Sequence, residues 1–187
     1  MEDDIKAAID KASATMDQAI EHLEKELLRL RTGKANASLV SGVMVQYYGS
    51  PTPLSQVANI TTGDSRSLVI QPWEKSLIPA VERGIFESNI GLTPQSDGET
   101  VRINIPPLTT ERRAELAKQA KAYGEDAKVS VRNSRRDANN AIRREVDAGY
   151  PEDQAKGKEK RIQEMTDAHI KRIDDTVAAK EKDIMTI

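Results

Sequence analysis

The chain contains no cysteine. Disulfides, cysteine-ligated zinc and thiol nucleophiles are therefore excluded, and the composition suits a reducing compartment. Histidine is scarce: His22 and His169 each sit in a helical pattern, with no second histidine beside them. Both read as packed or partly exposed helical side chains rather than ligands or bases. Aromatics are 3% of the 187 residues. Tyr47, Tyr48, Trp73 and Phe86 all fall in the middle block, residues 32–105, so a compact core is expected there. No apolar run approaches the roughly 18 residues of a membrane span. Met1-Glu2-Asp3-Asp4 is acidic where a targeting segment is basic. The expectation is a soluble, cytoplasmic protein with no membrane partner. Excess charge of one sign is also missing: 28 basic and 30 acidic residues leave a net −2. That excludes a uniformly basic nucleic-acid coat but not a local basic patch.

What is present is unevenly spread. Residues 32–105 hold 11 charged residues in 74, with seven of the ten glycines and five of the eight prolines. The flanks, 1–31 and 106–187, hold the other 47 in 113. This pattern predicts a charged helical chain interrupted by an inserted domain of another type. In the first flank Ile5, Ile9, Ala12, Met16, Ala19/Ile20, Leu23, Leu27 and Leu30 recur at spacings of three and four, with no Gly or Pro before Gly33. After Pro106-Pro107 a second helix is predicted over 109–148. Its buried stripe would be Leu116, Ala120, Tyr123, Ala127, Val131, Ser134, Ala138 and Ile142. Pro151 opens a third, with Ile162, Met165, Ile173, Val177 and Ile184 inward. Three long amphipathic helices are best buried as an antiparallel bundle.

The middle block reads as a small α/β, strand-rich domain. Val43–Tyr48, Ser67–Gln71 and Val101–Ile105 read as strands. Leu77–Ser88 reads as a helix with Ala80, Val81, Ile85 and Phe86 near one side. Gly49-Ser50-Pro51, Thr62-Gly63-Asp64 and Asp97-Gly98 are turn signals. The fold class is thus α+β: a discontinuous bundle of 1–31 and 106–187, and an insert of 32–105. Breaker-rich junctions lie near 31–33 and 105–107.

Catalytic chemistry is not evident. Thr32-Gly33-Lys34 has the ending of a phosphate loop, but Leu28 stands where that loop needs glycine. Glu111, Glu115, Glu125 and Asp126 read as a solvated helix face. No catalytic residue, cofactor or metal is expected. Basic chemistry is evident instead. Lys128–Arg144, KVSVRNSRRDANNAIRR, carries six basic residues against Asp137. At 100° per residue Lys128, Arg132, Arg135, Arg136, Asn139 and Arg143 share an arc about 100° wide, beside the apolar stripe. Guanidinium forks match phosphates, and Asn can bond a base or sugar. The competing reading pairs these arginines with the eight acids of residues 1–27. Arginine in place of lysine, with Arg29, Arg31 and Lys34 adding charge at the end of the first helix, favours binding. No aromatic interleaves with the arginines, so phosphate and shape recognition of a folded duplex is expected rather than stacking on single strands.

Three stretches carry a resemblance: LRTGKANASLVSGVMVQYYGSPTPL (Leu30–Leu54), PPLTTERRAELAKQAKAYGEDAKVSVRNSRRDAN (Pro106–Asn139) and RIQEMTDAHIKRID (Arg161–Asp174). They closely resemble ribosome recycling factor, and the likeness covers essentially the whole chain. The resemblance implies an L-shaped, two-domain molecule of tRNA-like outline that acts as a monomer. It implies a non-enzymatic factor that binds the large ribosomal subunit and, with elongation factor G and GTP, splits the post-termination ribosome into subunits. That would release mRNA and tRNA for a new round of translation. Carried over by motif, Arg132 and Arg135 would be the main ribosomal RNA contacts, with Arg136 and Asn139 secondary. Lys128 and Arg143 share their arc, and Arg31 and Lys34 would touch RNA near the junction. The family usually has Arg where this chain has Lys34, which keeps the charge but not the fork. Thr32, Gly33, Ile105, Pro106 and Pro107 match the family's hinge.

Overall fold

A computed structural model describes residues 1–30 and 33–186. Arg31 and Thr32, named above for RNA contact and hinge, lie outside the described residues. The chain divides into two compact units, one of Met1–Arg31 and Thr110–Thr186, the other of Thr32–Thr109.

The first unit is three helices: α1 (Glu2–Arg29), α3 (Thr110–Asp147) and α4 (Glu152–Met185). At 1.5 Å per residue α3 is about 57 Å long. Side-chain pairs fix the directions. Glu2 on α1 meets Lys158 and Tyr150, while Glu24 meets Arg172, so α1 and α4 run parallel. Lys121 meets Glu181 and Lys128 meets Asp174, so α3 runs against α4. The α1 seam is Ile5, Ile9, Ala12, Met16, Ile20, Leu23 and Leu27, all buried, as the three-and-four spacing requires. On α3 the buried stripe is Leu116, Ala120, Gly124, Ala127, Val131, Ala138 and Ile142. Tyr123 and Ser134, expected inside, are only half-buried. Gly124 takes the central place because α4 comes close: a Cβ there would lie 2.6 Å from Val177 Cγ2. On α4 Met165 is half-buried, and Thr166 replaces it in the core by donating its hydroxyl to Ile162 O at 2.8 Å. The α3–α4 corner is a complete Schellman cap. Gly149 has φ +106, its N–H reaches Val146 O, and Tyr150 N–H reaches Glu145 O.

The second unit contains β1 (Met44–Tyr47), β2 (Ser50–Pro53), β3 (Ala58–Asp64), β4 (Ser67–Pro72), α2 (Ile78–Glu87), β5 (Pro94–Ser96) and β6 (Val101–Asn104). β1 and β2 form a separate hairpin, and the other four strands pair antiparallel in the order β3-β4-β6-β5. The core is aliphatic: Val43, Val45, Leu54, Leu68, Ile70, Val81, Ile85, Val101 and Ile103. The core lies in the block the aromatics marked, but the aromatics do not build it. Tyr48 is 81% exposed, Trp73 70% and Phe86 62%, and Tyr47 only packs at the edge. Phe86 points away because Val81, Gly84 and Ile85 already fill the inner side of α2. Gly84 is required there: a Cβ would lie 2.5 Å from the Met44 carbonyl oxygen.

Thr62-Gly63-Asp64 is not a turn. Gly63 lies inside β3, where the register with β4 shifts, and a Cβ there would lie 2.9 Å from Ser67 Oγ and 3.1 Å from Val69 Cγ2. The β1–β2 loop is the two residues Tyr48 and Gly49, both at positive φ (+48 and +82). Such a loop favours Asn-Gly. A tyrosine in the left-handed region costs about 1–2 kcal/mol.

Candidate nucleic-acid interface

The arginine segment is the C-terminal half of α3. Val131, Ala138 and Ile142 face the core, which fixes the rotation of the helix. Arg132, Arg136 and Arg143 are then exposed on the side of α3 nearest α4. Arg135 sits lower on the same side and donates from Nη1 to Gln163 Oε1 on α4 at 3.3 Å. Gln163 in turn donates to Asp167 at 2.8 Å, so an amide rather than a carboxylate orients this guanidinium. Arg136 donates to Asn133 on its own helix. Arg144 falls on the opposite side, where α1 and α3 enclose a groove with Lys11, Thr15 and Asp137.

Among the described residues, no carboxylate lies within 4.0 Å of a guanidinium nitrogen of Arg132, Arg135, Arg136, Arg143 or Arg144. Four acids of α1 pair elsewhere: Glu2 with Lys158, Asp17 with His169, Glu24 with Arg172 and Glu26 with Arg29. The competing reading, in which the arginines neutralise the first helix, therefore fails. No carboxylate competes for these guanidiniums, and Arg135 and Arg136 each spend one donor on a side-chain amide.

Two residues of the arc behave differently from the rest. Lys128 is a correction. Its side chain is only 16% exposed, and its ammonium bridges Asp174 at 2.5 Å and Glu125 at 3.4 Å. Asp174, with help from Glu125, holds the ammonium above the ordinary lysine range despite partial burial. Lys128 thus fastens α3 to α4 and is not part of the open face. Asn139 is half-buried, and its Oδ1 is shut from solvent without a hydrogen-bond partner. Leaving such an oxygen unpaired costs about 1–3 kcal/mol.

Lys34 is exposed within the second unit. Gly33 has φ +79, and a Cβ there would lie 3.2 Å from Leu108 Cγ. Ile105 N–H donates to Arg66 O at 2.7 Å, which ties it to the β3–β4 turn, while Pro106 and Pro107 are exposed. Glu115 pairs with Arg112, and Glu125 with Lys128, as expected of a solvated face. His169 spans Met165 O and Asp17 as a helix-to-helix clip. Among the described residues no three of His, Asp and Glu gather as a metal site, and no helix is long and apolar enough to cross a membrane.

The ribosome recycling factor family model matches residues 23–185. The chain belongs to the ribosome recycling factor family. The ribosome-recycling factor of Porphyromonas gingivalis is 51% identical over 185 residues, 98% of this chain and all of that one. That of Bacteroides thetaiotaomicron is 48% identical over 184 residues, 98% of this chain and 99% of that one. A solution structure of a ribosome recycling factor superposes with a TM-score of 0.74 at 37% identity, covering 98% of both chains. A second is the Thermus thermophilus factor, described together with Escherichia coli elongation factor G bound to the post-termination complex. It gives a TM-score of 0.61 at 37% identity and covers 97% of this chain and 98% of that one. The bundle and the antiparallel-sheet unit of this chain are the α+β architecture of the family. Gln163, which orients Arg135, escaped the sequence reading. A lone glutamine on an amphipathic helix carries no signal until the register of α3 against α4 is known.

Proposed function

We propose that this chain binds ribosomal RNA of the large subunit through Arg132, Arg135, Arg136, Arg143 and Asn139. Acting with elongation factor G and GTP, it then splits the post-termination ribosome. One observation carries the reading: an arginine face on α3 that no carboxylate of the described chain neutralises. Polyanion binding uses that kind of face, because each guanidinium can take two phosphate oxygens and release counterions. The unpaired Oδ1 of Asn139 supports it, since the amide gains by turning towards a ribose hydroxyl brought from outside. Lys128 is left out, being committed to Asp174.

The chain has no catalytic centre of its own in this reading; GTP hydrolysis belongs to the elongation factor. The protein acts in the cytoplasm as a monomer, without cofactor. The second unit (32–109) is the lever. Two chain crossings, near Gly33 and near Ile105-Pro106-Pro107, tie it to the bundle, so it can swing without leaving. Lys34 lies at the first crossing, where the family resemblance places a further RNA contact.

The test compares wild type with Arg132→Ala/Arg135→Ala. Co-sedimentation with large subunits should weaken at least tenfold, with the melting temperature unchanged. The slope of log affinity against log salt should fall by about 1 for each phosphate that is no longer neutralised. Splitting of post-termination ribosomes with elongation factor G and GTP, followed by light scattering, should fall in parallel. Unaltered affinity would remove this face from the mechanism.

A further inference from the structure

The side of α3 that meets α4 carries a ladder of ion pairs with one rung altered. The two helices run antiparallel, so a step of seven residues forward on α3 meets a step of seven back on α4. Lys121 meets Glu181 at 3.9 Å, and Lys128 meets Asp174 at 2.5 Å. One further step sets Arg135 against Asp167, a cation and a carboxylate at the position where the earlier rungs close. This rung stays open: among the described residues, Arg135 and Asp167 make no ion pair within 4.0 Å. Gln163 stands between them instead. Its Oε1 accepts from Arg135 Nη1 at 3.3 Å, and its Nε2 donates to Asp167 Oδ1 at 2.8 Å.

The three groups leave little choice of side chain at position 163. A guanidinium only donates and a carboxylate only accepts. A bridge between them needs an acceptor at one end and a donor at the other, which a primary amide has. Glutamate there would neutralise Arg135 and repel Asp167. Lysine would repel Arg135, and alanine would let Arg135 close on Asp167. Gln163 and Asp167 are four residues apart on α4, a spacing at which Gln and Asp side chains bond along a helix. That bond sets which way the amide faces, nitrogen to the carboxylate and oxygen to the guanidinium. Arg135 thus spends one donor on a neutral oxygen, and its charge is not cancelled. An exposed ion pair would add little to the fold. It would, however, have to break before the guanidinium could take a phosphate.

We infer that Gln163 is a positioning residue of the RNA-binding face: held by Asp167, it keeps that carboxylate off Arg135 and leaves the guanidinium charged for a phosphate. This rests on the RNA binding proposed above. The test measures the affinity of the full-length chain for isolated large subunits. Gln163→Ala is made alone, with Asp167→Asn and with Arg135→Ala, beside the two background variants. Asp167→Asn removes the charge but keeps an oxygen for the amide. Alone, Gln163→Ala should weaken binding about three- to fivefold, the upper range of an exposed ion pair. The slope of log affinity against log salt should flatten by about 1 at most. The melting temperature should not fall, because an ion pair replaces the amide bridge. In either background the same change should alter affinity by less than about twofold, as for uncoupled sites. A loss that persists without the Asp167 charge would overturn the shielding role. A loss that persists without Arg135 would overturn it too, by making Gln163 an RNA contact itself. Unchanged affinity of Gln163→Ala, with Arg135→Ala weakened, would overturn it and leave the RNA-binding face standing. Wild-type affinity of Arg135→Ala would remove both readings of that residue.

Discussion

The sharpest constraint at the scale of single residues is a missing side chain. Gly124 sits mid-helix, where glycine costs about 1 kcal/mol relative to alanine. It is there because Val177 of α4 fills the space a methyl group would need. Valine is stiff about χ1 in a helix and cannot fold away. Gly124→Ala should therefore destabilise the protein by about 1–3 kcal/mol through overpacking. In a Val177→Ala background the same change should become stabilising by about 1 kcal/mol, as helix propensity takes over. Chemical denaturation of the four proteins measures the sign reversal; equal effects in both backgrounds would refute the close-packing account. The arginine face shows the opposite economy. Lys128 and Arg135 occupy similar edges of α3, yet one meets Asp174 and the other only the amide of Gln163. Which basic residues of a segment stay free is thus decided by the helix opposite, not by the segment's own sequence.

Among the elements, the helices were legible and the sheet only partly so, for a physical reason. An amphipathic helix repeats its signal over many turns, so the α1 seam could be read from spacing alone. The arc of Arg132, Arg136 and Arg143 followed from the same rotation. β3 could not be read in this way. It lies at a sheet edge, its Asn59, Thr61 and Thr62 are polar, and its bulge places Gly63 where a turn would be read. The aromatics pointed to the block that holds this core but not to its content, since aliphatic side chains fill it and the rings are left outside. The start of α1 carries a further dependence. Lys158, then Tyr150, hold the Glu2 carboxyl below the ordinary glutamate range. A carboxyl depressed on folding contributes stability above its unfolded pKa and loses it as pH falls through the folded one. Glu2→Gln should therefore melt below wild type at neutral pH, and the two curves should converge in acid. Melting temperatures recorded across the acid range check this; a gap that persists in acid would mean Glu2 acts by packing alone.

For the molecule as a whole, the two units have separate cores, so damage to one should spare the other. Gly84→Ala would drive a methyl group against the backbone of β1, which cannot step aside. Circular dichroism of this variant should retain nearly all helical signal, and large-subunit binding should survive, while ribosome splitting is lost. Loss of subunit binding as well would show that the bundle does not anchor alone. The interrupted layout of the bundle also matters before the protein is finished. α1 leaves the ribosome first, with its apolar seam formed, yet α3 begins only at Thr110. Roughly 80 residues separate them, about 4–16 s of synthesis at 5–20 residues per second. Throughout that interval the seam from Ile5 to Leu27 has no partner helix, whereas the small unit is contiguous and can close as it emerges. On a nascent chain the small unit is therefore complete before the bundle. The helix that waits is the stretch most in need of shielding by whatever receives new polypeptide at the exit tunnel.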